Sequence, residues 1–264
     1  MLITNRIYCG DNLELIKQLE TSVCPLTVCS PPYGSLRAYQ GFTWNFEELA
    51  KELYRVTTEG GAVCWVVNDQ YIDGGRDLSS FKQVIYFKEV CGFRLHDCII
   101  YHKSGFNFPA NNRYHQVHEN IFVLTKGKLK TFNPLIDRKN AYPGQKAHGK
   151  HRGANENDFK DMSQIVKAKP AGEFGKRTNV WYVKVGGGHV SSDKIAHEHP
   201  AIFPESLCGD LIKSFSNEGD IVLDIFNGAG TTTKMAKLLR RNFLGFEISK
   251  EYCELAEKRL ALVN

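Results

Sequence analysis

A chain of 264 residues with 42% hydrophobic and 24% charged residues has the make-up of a globular protein that buries a sizeable core. Its aromatic content of 11% excludes global disorder, no apolar run approaches the roughly 18–20 residues of a spanning helix, and Met1 to Asp11 lacks the basic-then-apolar pattern of a secretory signal. The net charge of +5 is unevenly placed: Gly127 to Thr178 holds 12 Lys+Arg against 5 Asp+Glu, a net of +7, which leaves −2 for the remainder.

In chain order, Arg6 to Cys9 predicts a short strand and Asn12 to Leu19 a helix with Leu13, Ile16 and Leu19 on one face. Leu26 to Cys29 predicts a strand that runs into Ser30-Pro31-Pro32-Tyr33. A helix is expected from Phe46, capped by Asn45 with Glu48 completing a capping box, buried along Leu49, Leu53 and Val56, and ended by Gly60-Gly61. Ala62 to Val67 follows as a strand, then a helix from Ser80 to Val90 with Ser80 and Gln83 as its capping pair and Gly92 as its stop. Phe93 to His102 and Asn120 to Thr125 predict strands. The basic stretch 127–178 has little apolar periodicity and predicts an extended, loop-rich insertion that neutralises nucleic-acid phosphates or simply forms a solvated surface. Beyond it come a helix (Glu205 to Phe215), a strand (Ile221 to Ile225), a helix (Thr231 to Leu239), a strand (Phe243 to Glu247) and a final helix (Lys250 to Leu262). Continuous apolar strands separated by helices imply an α/β fold, a doubly wound, mostly parallel sheet covered on both faces.

The eight cysteines show no Cys-x-x-Cys spacing and predict reduced, buried, small side chains in an intracellular protein. The pairs His115/His118 and His148/His151 have no third ligand nearby, so no metal is expected. Neither a G-x-S-x-G elbow nor a G-x-x-x-x-G-K-[ST] loop is present, which leaves hydrolase and P-loop chemistry without support.

Ligands of open α/β sheets bind at carboxyl ends of strands, and two such ends carry motifs. At the first, Asp224-Ile225-Phe226-Asn227-Gly228-Ala229-Gly230-Thr231 offers two glycines for close backbone approach. Glu247 ends the next predicted strand, where a carboxylate can accept both ribose hydroxyls of an adenosine. Thr233 stands where a dinucleotide fingerprint needs its third glycine, which argues against NAD. At the second, Ser30-Pro31-Pro32-Tyr33 is a stiff extended turn whose prolines leave carbonyls free to point into a cleft. A hydroxyl acceptor and a stackable ring there suit an exocyclic amino group on an aromatic base. Each motif also has a plain structural reading, as a strand-to-helix turn and as a Pro-Pro turn after a strand.

Together these motifs resemble the amino-methyltransferases of DNA. Phe226, Gly228 and Gly230 are similar to the family's F-x-G-x-G cofactor loop, and Glu247 to its ribose-binding acid. Gly10-Asp11-Asn12-Leu13 resembles the segment whose Asp contacts the cofactor adenine, Ser30 to Tyr33 the catalytic D/N/S-P-P-Y, and His118-Glu119-Asn120-Ile121 the H-E-x-I element. Asn179-Val180-Trp181 and His199-Pro200 to Pro204-Glu205 resemble the stretch before the cofactor loop, with Phe203 where lysine is common. The catalytic motif precedes the cofactor motif, the order of the beta class. The resemblance implies a sheet of the S-adenosylmethionine-dependent methyltransferase type with a small basic loop-rich target-recognition insertion, divided as a catalytic half (1–126), a recognition region (127–178) and a cofactor half (179–264).

It further implies S-adenosylmethionine as cofactor, bound by Asp11, Asp224, Phe226, Gly228, Gly230, Thr231, Glu247 and Pro204. Catalysis is implied for Ser30, Pro31, Pro32 and Tyr33, with no metal because methyl transfer from a sulfonium needs none. Double-stranded DNA is the implied substrate, touched by Arg37, Tyr39, Arg113, Lys146, Lys150 and Arg152. Serine before Pro-Pro-Tyr, continued as Gly34-Ser35-Leu36-Arg37-Ala38-Tyr39, is similar to the cytosine-N4 enzymes, and adenine N6 is the alternative. Cytosine C5 chemistry needs a Pro-Cys dipeptide that the chain lacks. A monomer or homodimer in the cytoplasm, serving restriction-modification with room for a cognate endonuclease, is the implied setting. A non-catalytic nucleic-acid-binding protein on the same scaffold and a nicotinamide-dependent oxidoreductase are the readings from other classes.

Overall fold

The computed structural model describes residues 2–32, 44–105, 112–146, 170–186 and 188–263. They divide into two compact units, Met1–Asn133 with Asn179–Asn264, and Pro134–Thr178. The larger unit holds strands β1 (Arg6–Cys9), β2 (Cys24–Cys29), β3 (Thr57–Val67), β4 (Tyr71–Ile72), β5 (Gly75–Arg76), β6 (Arg94–Lys103) and β7 (His118–Thr125). The smaller unit holds β8 (Arg138–Lys139) and β9 (Phe174–Gly175), and the chain returns to the larger for β10 (Val180–Val183), β11 (Ile221–Asp224) and β12 (Asn242–Glu247). The helices are α1 (Asn12–Ile16), α2 (Phe46–Val56), α3 (Ser79–Tyr86), α4 (Glu205–Phe215), α5 (Thr231–Leu238) and α6 (Lys250–Ala261).

One eight-stranded sheet, in the order β1-β12-β11-β2-β3-β7-β6-β10, forms the core. Every neighbouring pair is parallel except β3–β7 and β7–β6, so β7 alone runs against the others. Leu223 and Ile225 at one strand and Leu244 and Phe246 at the next bury on one face with Ile16, Leu49, Leu53 and Val56 of α1 and α2. Val222, Phe243, Leu207, Leu211 and Ala236 are also buried, on the side taken by α4 and α5. A sheet covered on both faces explains why its central strands β2, β11 and β12 are largely apolar and buried rather than alternating, whereas the edge strand β10 alternates exposed and buried.

Local side-chain caps start α1, α2 and α6. Asn45 Oδ1 accepts from Glu48 N at 3.3 Å and starts α2, and Ser249 Oγ accepts from Tyr252 N at 3.4 Å and starts α6. Gly92, at φ +92, ends the helical stretch after α3. Three expectations are corrected. Gly60-Gly61 do not end α2, which stops at Val56; they lie inside β3, where Cys24 pairs with Thr57 but Leu26 with Ala62. Gly60 takes φ +80 in this bulge, and a Cβ on Gly61 would come within 2.8 Å of the Pro25 carbonyl, so the glycines serve a close strand approach. Ser80 and Gln83 do not cap α3: Ser80 N and Oγ donate to Asp69 Oδ1 at 2.9 and 2.6 Å, and Gln83 accepts from Trp65 Nε1 at 2.9 Å. Tertiary partners outcompete the local cap. Cys9 is exposed and Cys91 and Cys98 are half-buried, while Cys24, Cys29, Cys64, Cys208 and Cys253 are buried; all eight are free thiols.

In the smaller unit β8 and β9 pair antiparallel, and Arg177 forms an ion pair with Asp137 that, through its hydrogen bond, holds this carboxyl below its ordinary range. No helix among the described residues is long and apolar enough to cross a membrane.

Candidate active site

The register of the sheet decides what meets at its edge. Val222 and Leu223 of β11 lie beside Leu26 and Thr27 of β2, so Asp224 and Ser30 leave the sheet on neighbouring parallel strands. Cys9 of β1 lies beside Glu247 of β12, and Gly10 N donates to the Glu247 carbonyl at 2.8 Å. The segments after β1, β12, β11, β2 and β3 therefore open on one edge. They line a cleft of about 1160 Å³ that includes Asp11, Ser30, Pro31, Pro32, Asp224 and Glu247.

At one end of this cleft the loop after β11 turns on Gly228 (φ +48) and Gly230 (φ +77), conformations that favour glycine. Glu247 holds the loop: its Oε2 accepts from Gly228 N at 2.7 Å and its Oε1 from Ser249 N at 2.9 Å. Burial pushes the Glu247 carboxyl up against these bonds. Burial also pushes Asp224 up to about 7, although the Thr232 hydroxyl and Phe226 N–H stabilise its charge. Phe226 stands edge-on to Trp44 at 5.0 Å. The buried Asn227 Oδ1 accepts from Thr233 Oγ1 at 3.1 Å, and its Nδ2 has no partner among the described residues. His199 packs edge-on to Tyr252 at 4.3 Å, with Ala201 N donating to its Nδ1 at 3.1 Å.

The catalytic side is short and stiff. Ser30 is half-buried and Pro31 buried. Further along, the ends of β6 and β7 place Lys103 Nζ 2.8 Å from Glu119 Oε1, and both line the cleft with Tyr101 and Asn68.

Behind the glycine loop lies a buried ionic cluster. Arg259, fully buried, donates from Nε to both Asp193 oxygens at 3.1 Å, from Nη1 to the Ala229 carbonyl at 2.5 Å and to Thr231 Oγ1 at 3.1 Å, and from Nη2 to Glu205 Oε1 at 2.9 Å. Lys234 Nζ donates to Asp193 and Glu205 at 2.6 Å each. Two cations and two carboxylates thus tie α4, α5, α6 and the 191–193 loop together, and the Ala229 bond carries this restraint into the cofactor loop.

Of the residues expected at the site, Asp11, Ser30, Pro31, Pro32, Pro204, Asp224, Phe226, Gly228, Thr231, Glu247 and Arg113 line the one cleft. Gly230 sits behind it, where a Cβ would come 2.6 Å from that of Ala256. Asp11 is exposed and spends Oδ1 on capping α1, accepting from Leu13 N and Glu14 N. Lys146 is exposed in the smaller unit, bridged to Pro170. Tyr33, Arg37, Tyr39, Lys150 and Arg152 lie outside the described residues. Asn227, Lys103, Lys234 and Arg259 were not singled out from sequence. A signal for Arg259 exists: it falls on the same helical stripe as the buried Leu255 and Ala256, four and three residues before it, and a cation on a buried stripe needs a partner. Gly230→Ala is expected to cost roughly 2–4 kcal/mol, combining left-handed strain with the clash against Ala256. Calorimetry should show Tm falling by on the order of 10 °C; an unchanged Tm would mean that the loop separates from α6 without cost.

The donor set fits the expected cofactor. Two carboxylates raised by burial await hydroxyls or a cation, a buried amide awaits an acceptor, and an aromatic wall flanks a backbone free of side chains. S-adenosylmethionine offers ribose hydroxyls, an ammonium, a sulfonium and a purine to that set.

A model of the DNA methylase family, covering N6 and N4 enzymes, matches residues 25–258. The orphan methyltransferase M.BamHII of Bacillus amyloliquefaciens is 52% identical over 237 residues, 89% of this chain and 88% of its own. The type II methyltransferase M.BglII of Bacillus subtilis is 27% identical over 97% of this chain and 69% of its own. Among solved structures, PvuII DNA methyltransferase (cytosine-N4-specific) superposes with a TM-score of 0.69 at 18% identity, covering 96% of this chain and 85% of its own. TTHA0409 of Thermus thermophilus, complexed with S-adenosyl-L-methionine, superposes with a TM-score of 0.61 at 22% identity, covering 97% of this chain and 95% of its own. These two show the same fold. S-adenosylmethionine is the cofactor, and the chain belongs to the N6/N4 DNA methylase family as a beta-class amino-methyltransferase.

Proposed function

We propose that this DNA methyltransferase acts on the exocyclic N4 amino group of a flipped-out cytosine in double-stranded DNA. The observation that carries this reading is the side-by-side exit of Ser30-Pro31-Pro32 and the cofactor loop from β2 and β11 into one cleft. At about 1160 Å³ the cleft exceeds the roughly 300–1000 Å³ of a single-ligand pocket, leaving room for a base beside a cofactor. Serine at position 30 favours cytosine, and the cytosine-N4 specificity of the PvuII enzyme supports that choice.

Bound S-adenosylmethionine supplies a methyl group made electrophilic by its sulfonium. Glu247, Asp11, Asp224, Thr231 and Pro204 would hold it, with Gly228 and Phe226 lining its site and Gly230 shaping the loop from behind. Extrusion of the target base costs a few kcal/mol, which stacking on Tyr33 repays. The Ser30 hydroxyl and the Pro31 carbonyl each accept one N–H of the amino group, drawing its lone pair out of conjugation with the ring. Pro32 contributes no N–H to compete for those acceptors. Positioning and fixed dipoles supply the rate. Arg113 contacts the DNA from the cleft; Lys146, Lys150 and Arg152 do so from the basic segment 127–178, and Arg37 and Tyr39 beside the catalytic turn. Type II methyltransferases among the relatives support a restriction-modification setting, while the orphan methyltransferase at 52% identity supports action without a cognate endonuclease.

Nucleoside mass spectrometry of mixed-sequence DNA, incubated with the chain and S-adenosylmethionine, tests the base. N4-methylcytosine is the expected product. N6-methyladenine would keep the cofactor and fold but overturn the role given to Ser30. No methylated base with cofactor binding intact would favour a silent scaffold.

A further inference from the structure

Beyond the catalytic turn, β3 runs through Asn68–Gln70 into a hairpin, β4–β5, whose turn residues Asp73 (φ +48) and Gly74 (φ +80) are both left-handed. An Asp-Gly pair with both φ positive is the type I′ turn of a rigid two-residue hairpin. Tyr71 on this hairpin carries two guanidinium groups: Arg76 lies 4.9 Å and Arg113 4.2 Å from its ring centroid. Arg113 also donates from Nη2 to the Gly74 carbonyl at 2.9 Å, fastening the hairpin to the 112–116 segment. Asp77, the acid next to Arg76 in the chain, accepts from Gln70 N, Ser79 N and Ser79 Oγ. Tyr114 beside Arg113 is 98% exposed. Tyr71, Gly74, Arg113 and Tyr114 line the same cleft as Ser30 to Pro32.

Two like charges gathered on one ring repel each other, and a fully exposed aromatic ring gains nothing for folding. A polyanion carrying flat rings offers both features a partner: phosphates for the two guanidinium groups and a base for the exposed ring. The local field is positive enough that Arg76 and Lys103, after burial itself, push His118 below its ordinary range.

We infer that the 71–76 hairpin with Arg113 and Tyr114 is a second DNA-contacting element, separate from the basic segment, which grips the target strand at the cleft mouth. Arg76 and Arg113 take phosphates on either side of the target nucleotide, and Tyr71 holds the two guanidinium groups in register. Tyr114 stacks on an unpaired or neighbouring base. The inference rests on the DNA-methyltransferase reading and extends it to residues 71, 76 and 114.

The test measures fluorescence anisotropy of a labelled duplex carrying one mismatched cytosine, a base already inclined to leave the stack, with the full chain at several sodium chloride concentrations. Arg76→Gln and Arg113→Gln should each reduce the magnitude of the slope of log affinity against log salt by about 0.9, one phosphate contact apiece. Tyr114→Ala should weaken binding roughly 5- to 100-fold, as loss of one stacked base does, with the slope unchanged. Cofactor affinity, measured by calorimetry on the same proteins, should stay at the wild-type value and shows that each variant is folded. Arg76 is exposed, so its variant keeps the test open if Arg113→Gln fails to fold. Wild-type slope in Arg76→Gln, with wild-type affinity in Tyr114→Ala, overturns the inference while leaving the methyltransferase reading intact. A wild-type chain that binds no duplex at any salt overturns both.

Discussion

Ser30→Ala is expected to lower kcat by about 10²–10³-fold, the usual loss when one fixed polar contact to a reacting group is removed, with cofactor affinity nearly unchanged. The backbone at this position is set by Cys29 inside the sheet and by Pro31 and Pro32, so removing one hydroxyl leaves the turn in place. The groups assigned to the cofactor, Glu247 and the Gly228 loop, hold each other through their own hydrogen bonds. Single-turnover kinetics with saturating cofactor, paired with calorimetric titration, separates the two effects. Equal loss of turnover and cofactor affinity would move Ser30 to the cofactor side, and full activity would remove the turn from catalysis.

Arg259→Met should destabilise the chain by about 3–5 kcal/mol, because it strands Asp193 and Glu205 in a buried site with one cation fewer. Burial pushes the Glu205 carboxyl up, but Lys234 and the Ser191 and Ser192 donors overcome this and hold it at about 2. Asp193 is likewise held low by Lys234 and Arg259 against its burial. A carboxyl depressed on folding contributes stability above its unfolded pKa, about 4.3 for Glu, and loses it as pH falls toward the folded value. The cluster is therefore at full strength at neutral pH and fails between about pH 4.5 and 2. Denaturant melts at pH 7 and pH 3 give the measurement: the variant should lose most at about pH 7 and less at about pH 3. An equal loss at both would assign the effect to packing of the arginine stem. The same substitution should weaken cofactor binding, since the Ala229 carbonyl that Arg259 anchors lies inside the Gly228–Gly230 loop.

Much of the site was legible residue by residue. Glycines at 228 and 230, an acid at 247 and the Pro-Pro turn after Cys29 are local features, each with a chemical meaning at a strand end. The helices at 46–56, 205–215 and 250–261 follow from apolar stripes, and the first and last from side-chain caps as well, that a short window contains. The Asp73-Gly74 hairpin was also legible, since Asp-Gly between Ile72 and Gly75 is a turn signal, but two-residue strands carry no periodicity to draw attention to it. Ser80 looked like a cap because its partner Asp69 is distant in the chain but near in space. The edge strand β10 was read only as a motif, because alternation over four residues, exposed then buried, is too short to distinguish from a loop.

Residue patterns within short windows placed the candidate motifs at strand ends and identified the class of sheet that carries them, since caps, stripes and turns are interactions among neighbours in the chain. Tertiary structure alone decided which ends adjoin: β11 beside β2, β1 beside β12, and β7 reversed among parallel strands. Strand pairing uses backbone groups that every residue has, so side-chain pattern does not reveal the neighbour. The burial of Arg259 and Lys234 was decided the same way, because a charge becomes a core residue only when distant carboxylates arrive to pair with it.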